Sequence, residues 1–188
     1  MRSARDDAGK KVALRARPML TRAVGLTLRR FASTDAASFL ARAAAANDSQ
    51  ALLGKFPSAG RFDATLADAD LTTTKIGKDG VECTIKVTPG LTNNFGTLHG
   101  GATATLIDVV GTLALLGRDP MRPGVSVEMN QSFCAAAKEG ETLHCYGTVL
   151  KSGKVLGFTE VEVRGEPAAD GALGRLIATG RHTKFLAL

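Results

Sequence analysis

Tryptophan is absent from these 188 residues, tyrosine occurs once, and aromatic side chains make up 5%. That leaves little material for the stacking platform of a single-strand nucleic-acid binder. Cysteine is scarce too. Cys83, Cys134 and Cys145 are an odd number, far apart and without a C-x-x-C pair, which argues against a disulfide framework and fits a reducing compartment. His99, His144 and His182 each stand alone, with no H-E-x-x-H and no Cys/His cluster, so no metal site is expected. No run approaches the roughly 18 apolar residues of a membrane-spanning helix, so a soluble chain without stable membrane insertion is expected. Low complexity and internal repeats are also missing, and the 44% hydrophobic content suits one ordinary domain with length to spare.

Acidic residues are nearly absent from one region. Residues 1–31 hold nine Lys and Arg against Asp6 and Asp7, a balance of +7, whereas the remainder is close to neutral at −1. The overall charge of +6 therefore belongs to the N-terminal segment, and a nucleic-acid partner loses its main support. Within that segment Leu20, Val24, Leu28 and Phe31 recur at helical spacing, with Arg22 and Arg29 away from them. Such a basic amphipathic stretch, followed by Ala32-Ser33-Thr34, has the composition of a mitochondrial presequence cut after Phe31. Asp6 and Asp7 break that pattern, and translation from Met19 would remove them. A cytoplasmic protein with a basic tail is the alternative. The division expected is a presequence over 1–31, a helical segment over 32–59 that starts at the cap Asp35, and one folded domain over 60–188.

From Leu66 onward the texture becomes short β-like runs. Leu66 to Lys75 and Val81 to Thr88 flank the hairpin signal Gly77-Lys78-Asp79-Gly80. A long apolar stretch, Ala102 to Leu116, places Ala102, Leu106, Val109, Leu113 and Leu116 at i, i+3 and i+4 steps, the pattern of a buried helix. Four more β-like runs follow, beginning near Val125, Leu143, Val155 and Leu173, with a second hairpin signal at Lys151-Ser152-Gly153-Lys154. Two strands, a helix and four strands describe an α+β domain with an antiparallel sheet wrapped around one long helix.

Chemistry concentrates on that helix. Gly100-Gly101 stands at its start, where unpaired N–H groups and the helix dipole favour a phosphate or an oxygen gaining negative charge. Taken alone, such a pair is more often just a turn, and no Gly-Lys-Ser/Thr follows to make a P-loop. Asp108 lies in the most apolar part of the helix, Leu106-Ile107-Asp108-Val109-Val110, where a buried carboxylate must be paired or used. The competing possibility is a carboxylate that simply faces solvent. Gly100 and Asp108 are eight positions apart, roughly 12 Å at 1.5 Å per residue, so one small reacting centre cannot easily touch both in the same chain. If both serve one reaction, a dimer with sites at its interface is required. Gly124-Val125-Ser126-Val127-Glu128 lies in an apparent strand and is no nucleophile elbow. A thiol, Cys134 or Cys145, beside a histidine is the other candidate nucleophile, against the plainer role of small buried side chains.

Asn93-x-x-Gly96-x-Leu98-His99-Gly100-Gly101, with Asp108 nine residues after His99 and Gly124-Val125-Ser126-Val127 later, resembles the hotdog-fold acyl-CoA thioesterases. The branch is that of the phenylacetate-pathway thioesterases and the eukaryotic thioesterase superfamily members, and the ending Gly180-Arg181-His182-Thr183-Lys184 is similar to the eukaryotic, mitochondria-associated subgroup. The resemblance spans about residues 60–188. It implies a Gly100 N–H that polarises the thioester carbonyl and an Asp108, from the neighbouring subunit, that activates water or attacks directly. It further implies that Asn93 holds the water or the thioester, that Ser126 orients water near Asp108, and that His99 bonds near the thioester or braces the Asn93 loop. Carried over in the same way, the CoA contacts fall on Phe133 to Lys138, on the hairpin with Lys151, Ser152, Gly153 and Lys154, and near Arg181. The sequence departs from the family at Cys134-Ala135-Ala136-Ala137, where relatives tend to carry Ser-Pro, and at Phe185, where they tend to carry a second histidine. The implied protein is a homodimer or homotetramer that needs no cofactor beyond the CoA of its acyl-CoA substrate, with medium- to long-chain fatty acyl-CoA expected. Aryl-acetyl-CoA hydrolysis and non-catalytic acyl-CoA binding are the alternatives.

Overall fold

A computed structural model describes Phe62 and residues 64–187. The expected presequence and the helical segment 32–59 lie outside the described residues. A short helix α1 (Ala64–Ala67) leads into strands β1 (Thr72–Gly77) and β2 (Gly80–Lys86), a 3-10 turn (Pro89–Leu91) and the long helix α2 (Gly100–Arg118). Strands β3 (Val125–Phe133), β4 (Thr142–Ser152), β5 (Leu156–Arg164) and β6 (Leu176–Phe185) complete the chain. All strand pairs are antiparallel, in the order β1-β2-β4-β5-β6-β3. The α+β architecture, one helix embraced by one sheet, is the one expected.

Its boundaries correct one expectation. The run from Leu66 to Lys75 is not one strand. Leu66 belongs to the helical turn α1 and is fully buried, Asp70 reverses the chain at φ 56°, and pairing starts only at Thr72. Helix α2 begins at Gly100, where the Gly-Gly pair was expected to open it, and His99 caps it there. It also has the length and mean hydropathy of a membrane span (19 residues, 1.5), yet 61% of that stretch is buried inside the fold. It is the core helix. Leu106, Ile107, Val110 and Leu113 are at most 2% exposed and pack against Val81, Ile85, Leu143, Val161 and Val163 of the sheet. Full burial of each such side chain contributes about 1.5–3 kcal/mol.

Strand β3 is the exception to this burial. It lies at the edge of the sheet next to β6, and Val127, Met129 and Phe133 are 58%, 38% and 59% exposed. Apolar side chains on an unpaired edge are what natural sheets normally avoid.

Two cysteines far apart in sequence meet in the sheet. Cys83 on β2 and Cys145 on β4 stand directly opposite each other, both buried, and all three cysteines are free thiols. Burial pushes the Cys83 thiol up to about 11 and raises that of Cys145 as well. Cys134, by contrast, is exposed. A thiol reagent at neutral pH is therefore expected to label one residue, Cys134, in the folded protein and all three after unfolding; peptide mapping checks this, and rapid labelling of Cys145 in native protein would contradict it.

Candidate active site

One side chain braces the loop before α2 from within. Asn93 Oδ1 accepts from the Phe95 N–H at 2.9 Å, the Thr97 N–H at 3.2 Å and the Thr97 hydroxyl at 3.1 Å, which leaves its amide NH₂ open. His99 then closes the helix end: its Nδ1 accepts from the Gly101 N–H at 2.8 Å, so the ring proton sits on Nε2. The Gly100 N–H has no acceptor among the described residues. Gly100 lines a cleft of about 410 Å³ with Leu98, Thr103, Phe133, Ile177 and the segment Cys134 to Ala137. An unspent N–H at the positive end of a 19-residue helix, on a residue that lines an apolar cleft, can bind an oxyanion.

Two turns further on, Asp108 is 46% exposed while its neighbours Ile107 and Val109 are buried. The arrangement around it was not legible in the sequence. His182, fully buried on β6, sets Nδ1 at 3.5 Å from Asp108 Oδ1 without a hydrogen bond and Nε2 at 2.8 Å from Ser126 Oγ on β3. Thr112 Oγ1 donates to the Asp108 carbonyl at 2.8 Å, lies 3.4 Å from Asp108 Oδ1, and accepts from the buried Lys184 ammonium at 2.7 Å. Burial holds His182 below its usual range. The Lys184 cation adds to this, and the carboxylates of Asp108 and Glu128 oppose it. A neutral imidazole carries one N–H, so the ring can donate toward Asp108 or toward Ser126 but not to both. Ser126 and Asp108, predicted as partners through water, are thus linked through His182, which the sequence had presented as isolated. Lys184 is buried and packed under the helix through Thr112.

Gly111 makes room for this ring. A Cβ there would lie 2.7 Å from Thr159 Oγ1 and 3.3 Å from both His182 Cβ and Nδ1. Gly111→Ala is therefore expected to lower stability by up to about 2 kcal/mol net. Overpacking by about 1–3 kcal/mol outweighs the roughly 1 kcal/mol that alanine gains in a helix. A thermal unfolding midpoint that rises in the variant would contradict the close packing of His182 on α2.

The remaining predicted residues divide between places. Phe133 and Lys138 lie at the Gly100 end: Phe133 ring atoms come within 3.6 Å of where a Gly100 Cβ would be, and Lys138 bridges to Thr97. Lys151, Ser152, Gly153 and Lys154 form the β4–β5 turn at the other end of the sheet. There Leu156 pairs with Phe185 and Phe185 with Val125, and Arg122 binds the carbonyls of Gly153 and Lys154. Val125 and Phe133 are eight residues apart on β3, about 27 Å at ~3.4 Å per residue. Arg181 points to the opposite face of the sheet from His182 and is paired with Glu160 at 3.3 Å. No group of three or more metal-ligating side chains occurs among the described residues.

Residues 95–172 match the model of the thioesterase superfamily. The chain is 46% identical over 125 residues to human acyl-coenzyme A thioesterase 13, a match covering 66% of this chain and 84% of that one. Its fold is similar to the crystal structure of zebrafish thioesterase superfamily member 2 (38% identity, 74% of this chain and 96% of that one, TM-score 0.66). It is similar in the same way to thioesterase superfamily member 2 of the mouse (37%, 73% and 94%, TM-score 0.63). The matched residues 95–172 include Gly100, Asp108 and the cleft wall Cys134 to Ala137, and the chain belongs to the thioesterase superfamily.

Proposed function

We propose that this protein hydrolyses medium- to long-chain fatty acyl-CoA to free fatty acid and CoA, in a site shared by two subunits. The class of reaction rests on its relatives: the chain is an acyl-CoA thioester hydrolase. The observation that carries the shared site is the separation of its two halves. The Gly100 N–H opens into the cleft at one end of β3, and Asp108 with Ser126 and His182 sits toward the other. Antiparallel pairing of two β3 edges about the middle of the strand would lay the Phe133 end of one copy against the Val125 end of the next. Gly100 of one subunit would then face Asp108 of its partner. The same pairing would cover Val127 and Met129 and bring the Lys151–Lys154 turn of the partner toward the Phe133–Lys138 side of the cleft. Charge-assisted bonds from these lysines suit CoA phosphates. A homotetramer of two such dimers is the assembly proposed.

The apolar cleft takes the acyl end. The Gly100 N–H binds the carbonyl oxygen as it becomes negative. Asp108 removes a proton from water as the water oxygen bonds to the carbonyl carbon. When the tetrahedral adduct collapses, the C–S bond breaks and the departing sulfur takes up the proton, giving CoA thiol and carboxylic acid. Direct attack by the Asp108 carboxylate is the alternative course, through an anhydride that water then opens. The mitochondrial address is proposed on residues 19–34; a mature chain that begins before Ala32 would contradict cleavage there.

Thiol release from short, medium, long and aryl acyl-CoAs tests the reading. Highest kcat/KM on medium and long fatty chains supports it, and a preference for aryl-acetyl-CoA moves the substrate to the alternative. Tight binding of every thioester with no turnover would make the protein a binder.

A further inference from the structure

The cleft wall facing Gly100 is built from Cys134, Ala135, Ala136 and Ala137, whose short side chains do little to hold their own backbone. Its restraints come from elsewhere. The Cys134 and Ala135 N–H groups both donate to the Ile177 carbonyl, at 2.8 and 3.1 Å, and the Ala137 carbonyl accepts from the Leu98 N–H at 2.8 Å. The Ala136 carbonyl accepts from Arg175 Nη2 at 3.0 Å, and the same nitrogen donates to Glu141 Oε2 at 2.6 Å. The other oxygen of that carboxylate, Oε1, accepts from the Lys138 N–H at 3.0 Å. One ion pair therefore grips the wall on both sides of Ala137. Through the Ala137–Leu98 bond it also grips the loop two residues before Gly100.

The guanidinium has a fixed mount. Arg175 directly precedes β6; its carbonyl accepts from the Gly165 N–H at 2.9 Å, and Arg164 Nη1 donates to the neighbouring Gly174 carbonyl at 2.9 Å. These bonds latch the base of the β5–β6 connection. An exposed ion pair by itself contributes little to stability. Here the ionised partners also hold main-chain groups, and such charge-assisted bonds are the short, strong ones.

We infer that the Arg175–Glu141 pair is a positioning element of the substrate site: it fixes the spacing between the Gly100 N–H and the 134–137 wall, and so the fit of the thioester end of the substrate. The inference rests on the acyl-CoA hydrolysis proposed above. Neither residue lines the cleft, so its loss should be felt in binding before chemistry. Misplacement by about 1 Å costs an enzyme about 10²-fold; loosening a wall that keeps its other bonds should cost about tenfold.

The test compares Arg175→Ala, Glu141→Gln and Arg175→Lys with the wild-type protein, by steady-state kinetics on acyl-CoA and by amide hydrogen exchange without substrate. Expected for Arg175→Ala and Glu141→Gln is a KM about tenfold higher with kcat within about threefold, and faster exchange at Leu98 and Lys138. Arg175→Lys, which keeps a donor for one partner at a time, should restore KM to within about threefold of wild type. A KM within twofold of wild type in both Arg175→Ala and Glu141→Gln overturns the inference, whatever exchange shows. So does a loss of activity that is equal in the Lys and Ala variants and tracks a lowered unfolding midpoint. Absence of turnover by the wild type on every acyl-CoA would sink the proposed reaction instead. The exchange comparison then decides the clamp, unchanged rates at Leu98 and Lys138 overturning it and faster rates upholding it.

Discussion

Asp108→Asn lowers kcat by about three orders of magnitude while KM for acyl-CoA stays within about threefold. The substitution is nearly isosteric at a side chain that is 46% exposed, so the fold and the cleft at the far end of β3 are left alone. What it removes is the basic carboxylate. General bases contribute about 10²–10⁴ to a rate, and an amide can neither accept the proton of water at neutral pH nor attack the carbonyl. Both courses open to Asp108 therefore predict the same loss. Single turnover in ¹⁸O-water separates them: direct water attack labels only the fatty acid, whereas an anhydride opened at the Asp108 carbonyl leaves label in the protein. Turnover that survives in Asp108→Asn would leave the hydrolase standing and remove this residue from its mechanism.

Gly100→Pro lowers kcat by about 10²–10³ without unfolding the protein. Proline in a helix interior is disruptive, but position one of a helix is where it fits best, since no intrahelical bond is lost there. His99 already has the extended backbone that a following proline requires, at φ −68° and ψ 137°. A carbon on the Gly100 Cα meets only Phe133 ring atoms at 3.5 and 3.6 Å, ordinary contact distance. The change replaces the Gly100 N–H by a ring CH₂, so the expected loss is at least that of a single oxyanion donor. Gly100→Ala is the control: it keeps the N–H, so kcat within about fivefold of wild type is expected. Circular dichroism and the unfolding midpoint check that both variants fold. A proline variant with unimpaired kcat would show that the carbonyl oxygen binds elsewhere.

The two halves of the proposed site differ in how visible they were. The Gly100 half is local. The Gly-Gly pair and the apolar run after it lie within one stretch of chain, and spacing alone places an N–H at a helix end; that His99 caps it came from the structure. Asp108 stood out for a similar reason, as a charge inside an apolar run. Its surroundings were not readable. His182 meets Ser126 across 56 residues of sequence, and only because β3 leaves the hairpin order and pairs with β6 at the sheet edge. Lys184, two residues further on β6, shares that inward face and is 5% exposed. Arg175 and Glu141 gave no signal at all; nothing in either neighbourhood says that they meet.

By itself, then, the sequence determined the order of the elements, the long central helix, the unpaired N–H at its start, and the concentration of basic charge before the domain. Each of these follows from residue types a few positions apart, whose period and capping preferences act locally. Tertiary structure alone decided which strand lies at the edge, which histidine is buried between Asp108 and Ser126, which lysine is buried, and which arginine grips the cleft wall. Those outcomes depend on strand order and register, set by how the whole sheet closes around α2 so as to bury Leu106, Ile107, Val110 and Leu113. Burial of that kind is a property of the assembled chain, and no window of sequence contains it.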